Sequence, residues 1–210
     1  MDKNLAVFSI AYLPPIQYLH AMLKYDTILL EKHETYPKQT YRNRCVIYSA
    51  NGPLALTIPV IKPFGNKTKI SDVRIDNSVK WKKEHWRAIE SAYRSSAYFE
   101  FISDYFAPFY EKDWEFLWDY NLESLITILD ILELNISVEE TSSFIKDYSQ
   151  QGNDFRTCID PKSKGKDFNQ IFNHKPYFQV FGIKMGFEPN LSVLDLLCNC
   201  GMDSKGILIG

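Results

Sequence analysis

A cluster of cationic and amide side chains in residues 35–45 is the first feature with clear chemical potential. This stretch, "TYPKQTYRNRC", places Arg42 and Arg44 beside the amides Gln39 and Asn43. On an extended backbone, residues two apart face the same side, so the two arginines would point together. A guanidinium holds phosphate or carboxylate through two parallel hydrogen bonds, and an amide adds donors and an acceptor. The pattern is compatible with a solvated strand edge and with an anion-binding surface, and composition alone leaves both open.

His85 is the strongest candidate for acid–base chemistry. It lies in "WKKEHWRAIESAY", four residues after Trp81 and directly before Trp86. The ordinary pKa of histidine allows proton exchange near neutral pH, and spacing by four puts Trp81 on the same helix face. His85 is therefore either a half-buried structural imidazole or a general base with Trp81 as an aromatic wall of the site, and the residues alone leave both open.

Predicted strands must position these residues in space. The sheet is predicted from four apolar runs, at 4–10, 27–31, 44–50 and 54–60. A helical segment separates the first two runs, which predicts a parallel crossover with its ligand-facing loop after the first strand. That loop contains Tyr12, a further candidate substrate contact. The last two runs flank Asn51-Gly52, a dipeptide typical of a two-residue hairpin turn.

From about residue 81 the hydrophobic period changes to that of helices. Apolar side chains recur every three or four positions through 81–134, where Asn121 is a predicted N-cap. Residues 142–174 are polar and predicted irregular, and "YFQVFG" (177–182) is predicted to form a short strand. The terminal "LSVLDLLCNCG" predicts a helix capped by Ser192.

The predicted fold class is therefore α/β. A small mixed sheet, made by a strand-helix-strand unit and a hairpin, would occupy residues 1–80. A mostly helical half, 81–210, would cover it, and the whole of 1–210 would form a single domain.

Composition excludes several functional classes. The formal net charge of -2 disfavours general nucleic-acid binding. No apolar run has the roughly 18 residues of a membrane-spanning helix, and no N-terminal apolar run follows a basic head, so we expect neither a membrane span nor a targeting segment. The four cysteines lack zinc spacing and the chain lacks the common cofactor-binding motifs, so we expect no metal and no cofactor. These features predict a cytoplasmic protein with reduced thiols.

Four segments in series resemble the WbqC-like protein family. They span nearly the whole chain: "AYLPPIQYL", "YPKQTYRNRC" followed by "LTIPV", "WKKEHWRAIESAY", and "YFQVFGIKMGFEPNLSVLDLLCNCG". The chain departs from the family where Ile10-Ala11 replaces a usual Gln-Pro pair, and in the loop "DFRTCIDPKSKGKDF". The resemblance implies a role in gene clusters for O-antigen and other surface polysaccharides, where a glycine-transferase activity has been suggested for some members.

Two functions follow as hypotheses from this resemblance. The first is an acyl or aminoacyl transferase, with glycine one possible group, acting on a nucleotide-linked or lipid-linked amino sugar with an activated donor. In that hypothesis His85 is the base, while the substrate-binding side chains are Tyr12, Gln39, Arg42, Asn43, Arg44 and Trp81. The second is a non-catalytic protein of a glycan pathway that binds a sugar phosphate or assembles with an enzyme. Whether the chain is an enzyme, and its donor and sugar, are left open by the sequence.

Overall fold

The computed structural model describes residues 4–148, 152–161 and 175–209. Its strands are β1 Leu5–Phe8, β2 Thr27–Leu30, β3 Arg44–Ser49, β4 Gly52–Thr57, β5 Val60–Ile61, β6 Arg74–Ile75, β7 Ser137–Glu140 and β8 Asn153–Asp154. Its α-helices are α1 Ile16–Met22, α2 Trp81–Tyr93, α3 Phe99–Glu111, α4 Leu117–Ile131, α5 Gly182–Met185, α6 Val193–Cys200 and α7 Ser204–Ile209. Short 3₁₀ helices cover Gly65–Lys67, Ile70–Asp72 and Gly201–Asp203. No helix in these ranges is long and apolar enough to span a membrane.

The central sheet is parallel and has the strand order β7-β2-β1-β8. Strand β1 pairs with β2 from Leu5↔Thr27 to Phe8↔Leu30, with α1 as the crossover between them. Both central strands are largely buried, which explains their continuous apolar sequences. The α/β fold class and the parallel crossover are thus confirmed.

The two outer strands of this sheet come from the second half of the chain. Strand β7 pairs with β2 and strand β8 pairs with β1, both in parallel. The sequence analysis predicted neither strand, and it placed β8 inside an irregular segment. Strand β7 reads "SVEE" with three exposed residues, and β8 has only two residues, so neither carries an apolar strand pattern.

The predicted hairpin is confirmed, but it forms a separate two-stranded sheet rather than part of the central one. Its strands pair from Arg44↔Thr57 to Ser49↔Gly52. Gly52 has a φ of 101°, whereas Asn51 is not among the residues with positive φ. The turn therefore needs glycine at one position only, and it is not the type that requires two left-handed residues.

Helix α2 packs against strand β3 of the hairpin and against α3, and α3 in turn packs against α4. Helix α4 begins at Leu117, so the predicted N-cap at Asn121 is wrong. Asn121 lies inside the helix, fully buried, and its Nδ2 donates to the backbone oxygen of Arg42 at 2.7 Å. The amide side chain serves a tertiary contact and does not cap the helix.

Residues 177–182 do not form the predicted strand. The side chain of Gln179 donates to the Glu188 carbonyl at 2.9 Å and accepts from the Glu188 amide at 2.9 Å. This pair of bonds closes residues 179–188 into a loop that contains the short helix α5. The hydrogen bonds of the Gln179 side chain therefore stabilise this loop in place of the backbone hydrogen bonds between strands that a sheet would have provided.

The predicted terminal helix, α6, is confirmed as a buried element. Ser192 is its N-cap, with Oγ accepting from the Leu194 amide at 3.3 Å and donating to the Leu13 carbonyl at 2.9 Å. The backbone amide of Val193 also donates to the Pro14 carbonyl at 2.8 Å. The start of α6 thus fixes the Leu13-Pro14 loop that follows β1.

We expect Ser192→Ala to lower the free energy of unfolding by about 1 kcal/mol, the usual cost of losing a serine cap. The cause is the loss of one hydrogen bond to the helix amide and one to the Leu13 carbonyl. Urea unfolding of the variant measures the cost, and Ser103→Ala is the matched control because its exposed hydroxyl bonds only within its own helix. An equal effect of both changes would contradict the capping role.

Candidate functional site

Polar side chains gather where the parallel strands end. Ser9 follows β1, Glu31 follows β2, Thr141 follows β7, and Arg156 lies two residues after β8. Parallel strands share one carboxyl edge, and ligands of open α/β sheets bind outside that edge. The position of these residues therefore marks the edge as the candidate functional site.

Glu34 and Arg42 form a buried two-point ion pair at this edge. Arg42 Nε donates to Glu34 Oε1 at 2.7 Å, and Nη2 donates to Oε2 at 2.6 Å. The side chains are only 8% and 10% exposed. Arg42 Nη2 also donates to Ser9 Oγ, which in turn donates to Glu34 Oε2 at 3.2 Å. The guanidinium predicted to hold an external anion thus holds a carboxylate of the protein.

A second buried pair joins Glu31 to Arg156. The Glu31 side chain is fully buried, and Arg156 Nη1 donates to its Oε2 at 3.2 Å. The other carboxylate oxygen of Glu31 accepts from the His33 amide at 2.8 Å and from Thr141 Oγ1 at 3.0 Å. Arg156 Nε donates to Asp154 Oδ1 at 2.9 Å. Every buried charge in this pair therefore has a partner, as burial requires.

The two ion pairs form one network, because Arg42 Nη2 donates to the backbone oxygen of Arg156 at 3.5 Å and Ser9 Oγ lies 3.3 Å from the same oxygen. We call it the edge cluster, and its members are Ser9, Glu31, Glu34, Arg42, Asp154 and Arg156. A groove of about 410 Å³ opens beside it. Its walls include Glu34, Thr35, Lys146, Asp154, Arg156 and Thr157. Carboxylates, cations and hydroxyls thus face the same small-molecule-sized space.

His85 belongs to a different, aromatic centre. Its Nδ1 shares a hydrogen bond of 3.0 Å with the Tyr12 hydroxyl, which contacts the Tyr110 hydroxyl at 2.8 Å. The Trp81 ring lies 5.2 Å from the imidazole, centroid to centroid. Burial lowers the pKa of His85 to about 4, although a hydrogen bond to the Thr57 backbone acts in the opposite direction. The imidazole is therefore neutral at pH 7.

The structure divides the predicted site residues among three environments. Arg42 lies in the edge cluster, while Tyr12, Trp81 and His85 meet in the aromatic centre. The three remaining residues, Gln39, Asn43 and Arg44, lie along the segment that leads into the hairpin. The backbone amide of Tyr12 donates to the Tyr41 carbonyl at 2.8 Å, which links the loop after β1 to this segment.

The residues before the hairpin show no shared orientation. Gln39 is exposed with a φ of 61°. Asn43 is buried, and its Nδ2 donates to the Ile58 carbonyl at 2.8 Å, which holds the base of the hairpin. Arg42 lies in a turn that ends where β3 begins at Arg44, so the extended backbone assumed for the two arginines is absent. Arg44 is half-buried, and its Nε has no hydrogen-bond partner within the described part of the chain.

Sequence reasoning missed five members of the edge cluster: Ser9, Glu31, Glu34, Asp154 and Arg156. A signal existed for Ser9 and Glu31, because each lies at the carboxyl end of a run predicted to be a strand of a parallel sheet. Glu34 and Arg156 carry no comparable signal, since their roles depend on partners distant in sequence. Across the described residues, no group of side chains has the arrangement of a metal site.

Known proteins place the chain in a family. The model described as the WbqC-like protein family matches residues 11–165. The uncharacterized protein Rv1507c of Mycobacterium tuberculosis is 26% identical over 229 residues, which cover 98% of this chain and 97% of the relative. No solved structure matches significantly. The matched range contains the aromatic centre and every member of the edge cluster except Ser9. Because this range covers most of the sequence, the chain belongs to the WbqC-like protein family.

Proposed function

We propose that the chain binds an anionic amino-sugar derivative in the groove of the edge cluster and transfers an acyl or aminoacyl group to its amine. One observation carries the proposal. Two carboxylates, Glu34 and Asp154, and two cations, Lys146 and Arg156, face one groove at the carboxyl edge of a parallel sheet. A ligand with an amine and a phosphate needs that combination of charges.

The groove residues fit the steps of such a transfer. A carboxylate accepts hydrogen bonds from the sugar ammonium and can take its proton, which frees the nitrogen lone pair. The nitrogen then attacks the carbonyl carbon of the activated donor, and an N–C bond forms. The hydroxyl of Thr157, on the groove wall, donates a hydrogen bond to the developing oxyanion. The bond to the donor's leaving group breaks and that group departs with the electron pair. The new amide nitrogen releases its second proton to the leaving group or to water.

The transfer is proposed without a covalent enzyme intermediate. Burial raises the pKa of the Cys45 thiol far above its usual range, and burial also raises the pKa of Cys198. A thiol in such surroundings is rarely ionised and is a poor nucleophile. Direct attack by the amine needs only a base and a positioned donor.

His85 remains a second candidate for the base, and His85→Gln separates the two assignments. A base must come within hydrogen-bond reach of the amine, whereas His85 is only 6% exposed and its Nδ1 is hydrogen-bonded to the Tyr12 hydroxyl. Retained turnover in the folded variant would assign the proton transfer to the groove carboxylates. Loss of turnover with unchanged ligand affinity would assign it to His85.

A non-catalytic role is the second candidate, and the internal pairing of the charges in the edge cluster favours it. Both guanidiniums of the cluster already bind protein carboxylates, so the cluster forms a rigid side of the groove. A protein that only binds a sugar phosphate needs such a rigid surface and no proton transfer. Turnover by the isolated protein with an amino sugar and an activated acyl donor would decide against this role.

We expect Lys146→Ala to weaken binding of glucosamine 1-phosphate about tenfold, because it removes one charge-assisted contact to the phosphate. The Lys146 side chain is exposed, so the change leaves the fold intact. Isothermal titration calorimetry measures the affinity. The matched control is Lys24→Ala, an exposed lysine that precedes β2 and therefore lies at the opposite, amino edge of the sheet. Equal affinities of the two variants would reject the groove as the binding site.

A further inference from the structure

A second groove, of about 560 Å³, lies between helices α2 and α3 and shares no lining residue with the edge cluster. Its volume is in the range typical of small-molecule sites. The residues that give it a chemical character are Lys80, Lys83, Trp86, Arg87 and Tyr110. The function proposed above makes no use of this groove.

Three cations of this groove have side chains without a partner in the described part of the chain. Lys80, Lys83 and Arg87 are three and four residues apart, so they lie on one face of α2. All three are exposed, and none of their side chains forms an ion pair or hydrogen bond with another described residue. Lys82 differs from them, because its Nζ pairs with Asp113 and donates to the Lys112 carbonyl at 3.1 Å.

The position of the lysines on the helix also favours an anion. Lys80 is the N-cap residue of α2, without a side-chain cap, and Lys83 lies in the first turn. The start of a helix carries partial positive charge, so cations there are unfavourable and a bound anion is favourable. Glu84 is the acidic residue of that turn. An anionic ligand would therefore relieve a repulsion that the free protein retains.

The groove has an aromatic wall as well. The Trp86 ring is half-buried and lies 5.4 Å from the Tyr110 ring, centroid to centroid, with 35° between the planes. The other tryptophans, Trp81, Trp114 and Trp118, are at most 7% exposed. Trp86 is therefore the tryptophan whose ring can take a flat ligand group from solvent.

We propose that this groove binds a nucleotide. The base stacks on Trp86, while the phosphate oxygens accept hydrogen bonds from Lys80, Lys83 and Arg87. The three cations span seven residues of helix, or about 10 Å, which allows both a base and phosphates to be held along α2. Glu90 and Glu111 also line the groove, and their carboxylates can accept hydrogen bonds from the ribose hydroxyls. This proposal is independent of the function proposed for the edge cluster.

Titration with ADP, UDP and inorganic pyrophosphate tests the proposal, with tryptophan fluorescence and calorimetry as readouts. We expect both nucleotides to quench fluorescence and to bind more tightly than pyrophosphate, which has no base to stack. Arg87→Ala and Lys83→Ala should each weaken nucleotide binding about tenfold, whereas Lys24→Ala should leave it unchanged. Affinity should also fall as salt screens the cations. Trp86→Phe should remove the quenching.

Several results would overturn the proposal. One such result is that Arg87→Ala and Lys83→Ala bind nucleotide as tightly as Lys24→Ala does. Quenching that persists in Trp86→Phe would place the base elsewhere, and pyrophosphate binding as tight as that of ADP would exclude stacking.

Tighter binding of UDP-N-acetylglucosamine than of UDP would identify a nucleotide-linked sugar as the ligand, and weaker binding would identify a free nucleotide. Lys146→Ala should retain nucleotide binding, so failure at the edge cluster and failure at this groove can be told apart.

Discussion

Replacing Arg42 with alanine is expected to lower the free energy of unfolding by about 3–5 kcal/mol, the usual cost of breaking a buried ion pair. The change leaves the Glu34 carboxylate without its two-point partner and Ser9 without a donor. Since both side chains of the pair are at most 10% exposed, water cannot replace the lost contacts at low cost. Urea unfolding followed by circular dichroism measures the difference.

The chain contains its own control for this experiment. Arg74 and Glu115 form an ion pair of 2.7 Å whose side chains are 51% and 61% exposed. Arg74→Ala should cost no more than about 1 kcal/mol, since an exposed pair contributes little. Arg42→Lys should fall between the two, because lysine keeps the charge and loses the planar fork. An Arg42→Ala cost equal to that of Arg74→Ala would show that the edge cluster is open to water.

This expected cost affects how the function can be tested. A variant of Arg42 that no longer binds a sugar phosphate has two explanations, a lost ligand contact and a disrupted edge cluster. Lys146 avoids the ambiguity because its side chain is exposed on the wall of the same groove. The same argument favours Lys83 and Arg87 over buried residues as probes of the groove between α2 and α3.

The strands that the sequence predicted are those with a local sequence signal. Strands β1 and β2 are largely buried and are therefore apolar apart from Thr27, and the β3–β4 hairpin has a glycine at its turn. Strands β7 and β8 lie at the edges of the sheet, where one side faces solvent and polar residues are tolerated. Their pairing depends on β1 and β2 being in place, which no local pattern encodes.

Helical spacing predicted the contact between Trp81 and His85, whereas the ion pairs of the edge cluster depend on the tertiary fold. Trp81 and His85 are four apart on α2, and the structure brings them to one aromatic centre with Tyr12. The role of Arg42 could not be predicted, because a guanidinium binds a phosphate or a protein carboxylate equally well in chemical terms. The Glu34 carboxylate reaches Arg42 only through the fold of the intervening loop.

His85→Gln is expected to remove a strong pH dependence of stability. The folded pKa of His85 is lowered from its ordinary 6.5 to about 4, so the folded state binds fewer protons than the unfolded chain between these values. The contribution of this group is therefore fully present above pH 6.5 and is lost as pH falls to 4. The stability difference between the native chain and the variant should shrink by about 3 kcal/mol from pH 7 to pH 4.

Asp195 provides a control with the opposite sign. Burial raises the pKa of its carboxyl from 3.8 to about 6, against the hydrogen bonds donated by Tyr177 and Gln179. Its contribution is present below pH 3.8 and is lost as pH rises through 6, so the difference between the native chain and Asp195→Asn should change with pH in the reverse direction. Comparing each variant with the native chain cancels the contribution of every other titrating group to the pH dependence of stability.

If the stability difference for His85→Gln is flat from pH 7 to pH 4, the imidazole titrates alike in folded and unfolded chains. It would then be accessible to water, and the case for His85 as a general base would be stronger than the case for the groove carboxylates.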